Sequence, residues 1–434
     1  MELFEKIAQM ADGLLPEMVA VRRDLHKHAE PGWFEMRTSS IIARTLTELG
    51  YKVLVGEDVC RRESRMGVAD EDILEAQYAR AVAQGADPEF VPYTKGGMTG
   101  VIGILECGEG PAVAMRFDID ALGVFEASDD THRPYREGFS SINTGFMHAC
   151  GHDGHTAIGL AVAKILMEIK NSLHGTVKLI FQPAEEGVRG AKSIVENGHL
   201  DGVDYVIGNH ISNRSDKSGD AHVIPGTYDS LATTKLDVIY KGKASHAGVA
   251  PHLGNNALLA AASAVLNLNA IPRHGEGASR INVGTLHAGS GRNVIADEAK
   301  MELEIRGATT GINDYMTGYA TRILENAADM FGCTCEIKLM GAAEAMCSDK
   351  VLAGRISAVA QQLSLKPVEI SVNGGSEDFS YMMNRVQQQG GQAVFFRSLT
   401  RVSGTAHGRY YDFDESVMPT AVKIFCATAV DLMK

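Results

Sequence analysis

Nine consecutive residues, Met147-His148-Ala149-Cys150-Gly151-His152-Asp153-Gly154-His155, hold a thiol, three imidazoles and a carboxylate. Further along, an apolar run ends in Gln182-Pro183-Ala184-Glu185-Glu186-Gly187. Neutral imidazole, thiolate and carboxylate all bind divalent metals. A spare carboxylate beside a metal can act as a base on the water held there. The two stretches together have the make-up of an inner shell for two ions in a hydrolytic site. Cys150 and His152 are spaced as ligands on a tight turn, with Gly151 letting the backbone bend sharply. Adjacent Glu185 and Glu186 point differently, so one can ligate while the other faces a water. His210 and His407, in Gly-Asn-His and Thr-Ala-His-Gly, are further candidates.

Each residue also has a plainer reading. Cys150 alone reads as a small buried hydrophobe, as most free cysteines are. His152 and His155 alone read as capping or hydrogen-bonded core groups, and His210 and His407 as structural histidines. Glu185-Glu186 alone reads as solvated acid in the first turn of a helix, where the dipole favours it. Asp118 and Asp120 are either loop acids after a strand or carboxylates that orient a ligating histidine. The metal reading rests on the set, most of which falls after strands.

The elements that must position this set follow from periodicity. A chain of 434 residues exceeds one ordinary core, so two domains are expected. Residues 3–29 read as one helix stopped by Pro31-Gly32, and residues 36–49 as a second ended by Gly50. Residues 56–95 are polar and irregular, with a helix at 70–84; such an excursion reads as a functional cover. Apolar strands at 100–105, 112–117, 177–181 and 205–208 alternate with helices at 156–169 and 187–197. That alternation predicts an α/β fold with a mixed, mostly parallel sheet covered by helices, its site at the carboxyl ends of strands. From residue 231 the order is strand 234–240, helix 256–268, strands 280–286 and 300–306, helix 311–330 and strand 334–339. This is a ferredoxin-like β-α-β-β-α-β pattern. It reads as an α+β domain inserted at 231–340 between catalytic segments 1–230 and 341–434.

Net charge of −13 and the lack of a basic stripe argue against a nucleic-acid partner. No stretch approaches a membrane span. The start has acids where a signal peptide needs bases. Seven scattered cysteines suit a reducing compartment, so the cytoplasm is expected.

Taken together, the chain resembles the two-metal aminoacylase and glutamate-carboxypeptidase (amidohydrolase) family, in the branch with a cysteine ligand, over nearly its whole length. The His148 to Thr156 stretch and Leu179-Ile180-Phe181-Gln182-Pro183-Ala184-Glu185-Glu186-Gly187 carry most of the resemblance. Arg62-Glu63-Ser64-Arg65-Met66-Gly67, Thr131-His132-Arg133-Pro134-Tyr135-Arg136, Gly277-Ala278-Ser279-Arg280-Ile281-Asn282-Val283-Gly284 and Gly375-Ser376-Glu377-Asp378 narrow it further. The resemblance implies that Cys150, His152, Glu186, His210 and His407 ligate two divalent ions. Manganese is favoured, and zinc suits the thiolate and imidazole. It implies Glu185 as general base, with Asp118 and Asp120 behind the ligands. His246 in Lys-Ala-Ser-His-Ala-Gly would stabilise the tetrahedral oxyanion, and Asn293 and Arg306 would hold the substrate carboxylate. An oxyanion donor is worth about 3–4 kcal/mol, and Arg offers a carboxylate a bidentate fork.

The resemblance further implies hydrolysis of the amide of p-aminobenzoyl-glutamate, with broader N-acyl-amino-acid hydrolysis as the neighbouring reading. Residues 56–95 and 125–145 are expected to line the aryl side. The inserted domain would serve as lid and dimerisation surface, pairing with a second copy or with a related B subunit. Two rivals stay open: a thiol hydrolase with Cys150 as nucleophile and His152 or His155 as base, and a non-catalytic scaffold subunit.

Overall fold

The computed structural model describes residues 2–370 and 375–434; residues 371–374, inside the last predicted segment, lie outside the described residues. The chain divides into two compact units. One comprises Met1–Tyr228, Cys347–Val372 and Asp378–Lys434, and the other Asp229–Met346 and Asn373–Glu377. The strands in chain order are β1 Lys52–Val55, β2 Val101–Glu106, β3 Ala112–Asp118, β4 Thr176–Gln182, β5 Tyr205–Asn213, β6 Val223–Ile224, β7 Ala232–Lys241, β8 Ser279–Ala288, β9 Glu298–Gly307, β10 Thr334–Ala343 and β11 Gln392–Thr400.

The first unit is built on a seven-stranded sheet in the order β1-β2-β4-β3-β5-β11-β6. Strands β4, β3, β5 and β11 run parallel, with antiparallel strands at both edges. The parallel strands are apolar on both faces because helices cover both. In β3 every residue after Ala112 is buried. The helix His152–Glu168 lies between β3 and β4 in sequence and comes close to the sheet at Gly159. A Cβ there would sit 2.6 Å from a Phe181 ring carbon and 2.8 Å from a Phe117 one, so only glycine fits. Phe117, Phe181 and Phe425 meet beneath it, with ring centroids 5.0–5.4 Å apart.

The chain leaves β3 to one side to form β4, then crosses to the other side to form β5. This reversal of direction is where α/β sheets place their sites. The pairing of β3 with β5 stops at Arg116 and Gly208, whereas β11 accompanies β5 through Asn213. The carboxyl ends of β3 and β5 therefore part, and a crevice opens between them.

Several boundaries differ from the sequence reading. The predicted helix over 3–29 is two helices, Glu2–Gly13 and Leu15–Lys27. Pro16 has no N–H to continue the first and suits the opening turn of the second. The helix expected at 156 starts at His152, so His152, Asp153 and His155 lie on its first turn. The helix expected from 187 begins at Ala191, because Gly187 and Val188 have positive φ (85° and 60°). The strand expected to end at 208 continues to Asn213, so His210 lies within β5 and not after it; pairing with β11 sustains the extra length. The 56–95 excursion holds the expected helix, Glu71–Ala83, and closes a small core of Met36, Leu74, Ala81, Ala86 and Val91.

The second unit has an antiparallel sheet in the order β10-β7-β9-β8, with the helices Ala257–Asn269 and Thr310–Met330 between its strands in sequence. Asn256 and Thr309 cap these helices, each accepting from a backbone N–H at 3.2 Å. Met301, Leu303 and Ile305 of β9 pack in the apolar core with residues of both helices, while the alternate residues of β9 face away from it. Among the described residues no helix is long and apolar enough to cross a membrane.

Candidate active site

The crevice between β3 and β5 gathers side chains from four places. Gly151, at φ 92°, turns the chain between Cys150 and the helix that begins at His152. Glu185 and Glu186 follow β4 in a tight turn where Ala184 (φ 52°) and Val188 (φ 60°) are both left-handed. His210 comes from β5. His407 comes from a loop near the C-terminus, itself at φ 63° and tied by its N–H to the Ala149 carbonyl at 2.9 Å. Non-glycine residues in the left-handed region store strain that the surroundings must hold in place. Three of the five such residues among those described belong to the Glu185 turn or to His407.

Ligand atoms of Cys150, His152 and His210 lie within 4.8 Å of one another, as do those of Cys150, Glu186 and His407, and those of His152, Glu185 and Glu186. Cys150 thus belongs to two of these groups. Its Sγ is 3.4 Å from His210 Nε2, and His407 Nε2 is 3.4 Å from Glu186 Oε1. His152 Nε2 and Glu186 Oε1 are buried without a hydrogen-bond partner, which is costly unless another group completes them. Glu185 Oε2 lies 3.9 Å from His152 Nε2.

The carboxylates behind these groups fix their orientation. Asp120 faces His152 Nδ1 at 3.2 Å and accepts the Glu186 N–H at 2.9 Å, which turns His152 Nε2 toward the cluster. Asp118 faces His155 Nδ1 at 2.5 Å and accepts from Arg116 Nη1 at 2.6 Å. His155 Nε2 accepts the Ile211 N–H at 2.9 Å. Both His155 ring nitrogens are therefore engaged, so His155 pins β5 to the helix and does not serve as a ligand, although it lies close enough to Asp118 and His152. His210 Nδ1 donates to the Ile211 carbonyl at 2.6 Å, leaving Nε2 as the lone-pair nitrogen toward Cys150.

The electrostatics suit a cation. Burial, then Asp120 and Asp118, push the Glu186 carboxyl up to about 7 against the pull of His152. Burial, with Glu186 adding to it, pushes the Cys150 thiol far up. A nucleophilic cysteine needs the opposite shift, so the thiol-hydrolase reading loses its support. Burial, with His155 behind it, holds His210 well below its ordinary value and hence neutral. Thiolate, neutral imidazole and carboxylate oxygen around orphaned buried atoms form a fitting donor set for divalent metal.

The second unit carries the remaining candidates. His246 forms an isolated bridge with Val294, and the Ala247 N–H reaches the Asn293 carbonyl at 2.9 Å, so these two loops lie together. His246 Nδ1 accepts from the N–H groups of Gly248 and Val249, both at 3.2 Å. The neutral ring then carries its proton on Nε2, as an oxyanion donor requires. Arg306 sits on β9, its Nε and Nη2 on Glu304 at 3.0 and 2.9 Å.

Sequence reasoning missed Glu35 and Arg22. Glu35 is fully buried and accepts the Ala184 N–H at 2.7 Å and the Thr99 hydroxyl at 2.7 Å, bracing the strained turn below Glu185. Its spacing to the other site residues carries no signal. Arg22 lies in the charged run Arg22-Arg23-Asp24 of the helix Leu15–Lys27. It is fully buried and bonded to Asp153, next to His152.

The model for peptidase family M20/M25/M40 matches residues 114–431. The chain is 44% identical over 431 residues to one of the subunits of the p-aminobenzoyl-glutamate hydrolase of Escherichia coli K12, covering 98% of both chains. It is 45% identical over 426 residues to the indole-3-acetyl-aspartic acid hydrolase of Enterobacter agglomerans, covering 96% of both. A solved Bacillus subtilis structure, described as a dinuclear metal binding peptidase of the M20 family, superposes with a TM-score of 0.66 at 25% identity, over 97% of this chain and 99% of that one.

Proposed function

The chain belongs to peptidase family M20/M25/M40, and from that premise we propose that it is a two-metal amide hydrolase of N-acyl amino acids, with p-aminobenzoyl-glutamate as its substrate. The observation that carries this reading is the Cys150, His152, Glu186, His210 and His407 cluster, with His152 and Glu186 buried, Cys150 and His210 half-buried and His407 exposed, and with Glu185 beside it. His152 and His210 with Cys150 would hold one ion, and Glu186 and His407 with the same Cys150 the other. When bound, the ions would supply a nucleophilic water at neutral pH and polarise the substrate carbonyl.

The chain's own groups supply the rest. Glu185 takes a proton from the attacking water as the new C–O bond forms, and hands it to the departing amide nitrogen as the C–N bond breaks. His246 donates from Nε2 to the oxyanion, and Arg306 and Asn293 hold the carboxylate of the amino-acid half. The products are p-aminobenzoate and glutamate. The similarity to the indole-3-acetyl-aspartic acid hydrolase favours a second reading within the same chemistry, an arylacetyl amide of aspartate. Both readings share an aromatic acyl half and an acidic amino acid.

We assign residues 231–340 as an inserted lid and dimerisation domain. The Escherichia coli relative is named as one of its hydrolase's subunits, which supports pairing with a related chain. The edge position of β8 with exposed Leu258, Leu259 and Leu266 supports a contact surface there. Seven free cysteines support a cytoplasmic setting.

The direct test is glutamate release from p-aminobenzoyl-glutamate by this chain alone, metal-stripped and then resupplied. Activity is expected to return with manganese and more weakly with zinc. Silence under every metal would withdraw the substrate, and chelator-resistant activity would withdraw the metal mechanism. A second prediction concerns Cys150. Cobalt-loaded protein should show a thiolate-to-cobalt charge-transfer band that Cys150→Ser abolishes, with weaker binding of both ions because both groups share Sγ. A band that survives the substitution would remove Cys150 from the ligand set.

A further inference from the structure

Beside Arg306, the open face of the second unit's sheet carries two further arginines, Arg273 and Arg280, that have no part in the proposed catalysis. Arg280 of β8 stands directly opposite Arg306 of β9, and Asn282 opposite Glu304. Residues opposite one another in an antiparallel pair share a face, and like charges placed so destabilise the sheet. Together with Arg273 and Ser279 these residues line a cavity of about 460 Å³, within the range of small-molecule sites. Glu304 is the only acid in its lining, and it engages the Arg306 fork. Among the described residues neither Arg273 nor Arg280 has an ion-pair partner; Arg273 reaches only the Ile271 carbonyl, at 3.2 Å. Two cations left without a carboxylate, in a chain of net charge −13, mark a place built for an anion.

The amino-acid half of the proposed substrate is itself a dianion, and both candidate substrates end in an acidic residue. Opposed residues of an antiparallel pair have Cβ atoms about 5 Å apart. Two guanidinium groups at that spacing suit two carboxylates joined by a short carbon chain, each able to take a bidentate pair of hydrogen bonds. We propose that Arg280, seconded by Arg273, is the specificity-determining residue for the side-chain carboxylate of an acidic leaving amino acid, while Arg306 takes its α-carboxylate. The inference rests on the hydrolase reading and assigns the subsite that reading leaves open. An uncharged amide in place of the carboxylate forfeits the charge-assisted bonds and leaves Arg280 unmatched.

The test uses the full chain loaded with manganese. Cleavage of p-aminobenzoyl-glutamate is compared with that of p-aminobenzoyl-glutamine, and cleavage of indole-3-acetyl-aspartate with that of the asparagine analogue. In Arg280→Gln the acid-over-amide ratio of kcat/KM should fall about 20-fold or more, chiefly through KM. Arg280→Lys should restore part of it. An unchanged ratio, or equal loss on both partners of a pair, would overturn the assignment. Calorimetric binding of glutarate and of inorganic phosphate separates this from failure of the hydrolase reading itself. If no pair is cleaved, a similar loss of glutarate affinity in Arg280→Gln still supports a dicarboxylate subsite. Phosphate bound as tightly as glutarate would reduce the cavity to a general anion site and overturn the proposal.

Discussion

Replacing Glu185 by Gln is expected to lower kcat by about a thousandfold while the chain keeps both ions, since a positioned general base contributes about 10²–10⁴-fold. The amide keeps the shape and the hydrogen-bonding capacity of the carboxylate but cannot take up a proton. Glu185 Oε2 lies 3.9 Å from His152 Nε2, and Glu185 belongs to neither of the two groups that share Cys150. Its neighbour Glu186 points inward, with Oε1 buried and 3.4 Å from His407. Glu186→Gln should therefore show the reverse pattern, with metal content falling first and activity following it. Metal analysis of both variants beside single-turnover rates separates the two roles. If Glu185→Gln loses metal, or keeps more than a tenth of the wild-type rate, the division of labour between the two acids is wrong.

The proposed division of roles between Glu185 and Glu186 was drawn from their adjacency after a strand; in the structure ligand atoms of both acids and of His152 lie within 4.8 Å of one another. The alternation of strands and helices similarly foretold the parallel core, since a strand buried on both faces must be apolar throughout. Boundaries were less legible. The strand carrying His210 outlasted its apolar run because β11 pairs with it, and a partner nearly two hundred residues away leaves no local trace. The Glu185 turn delayed the next helix because Gly187 and Val188 adopt left-handed backbone, which Val188's own preference does not suggest. His155 was the subtler case. It shares the motif with the proposed ligands, yet Asp118 on one nitrogen and the Ile211 N–H on the other engage its whole ring. Residue type and spacing announced a candidate metal-binding set; the hydrogen bonds separate His155 from the proposed ligands.

Arg22 is the support whose loss should cost most. Its guanidinium donates to Asp153 at 2.9 Å, Asp412 at 2.7 Å and Glu415 at 3.1 Å, with no exposure of its own, between the rings of Phe413 and Phe139. Asp153 follows His152, and Asp412 and Glu415 follow the loop that carries His407, so one cation ties together segments that bring two proposed ligands into the site. Arg22→Met keeps much of the volume and takes one buried cation from three carboxylates, which keep their bonds to His26, Arg23 and Arg133. Breaking a buried pair in this way costs about 3–5 kcal/mol. Arg133 also bonds Asp412 and Glu415, which places the expected loss toward the lower figure.

The pH dependence identifies the cause. Burial alone would raise the Asp412 and Glu415 carboxyls, but Arg22 with Arg133, and for Glu415 Arg23 first, hold both below their ordinary range. A carboxyl depressed in the folded state adds stability above its unfolded pKa and loses it as pH falls through the folded value. The Arg22→Met deficit in urea unfolding should therefore be full at neutral pH and shrink as the solution is acidified below about pH 4, where the acids that lost Arg22 protonate. Metal affinity should weaken as well, by about 10–100-fold, as expected when a group behind a ligand is lost. A deficit that stays constant across that pH range would mean that Arg22 acts through packing against Phe139 and Phe413, and not through its charge.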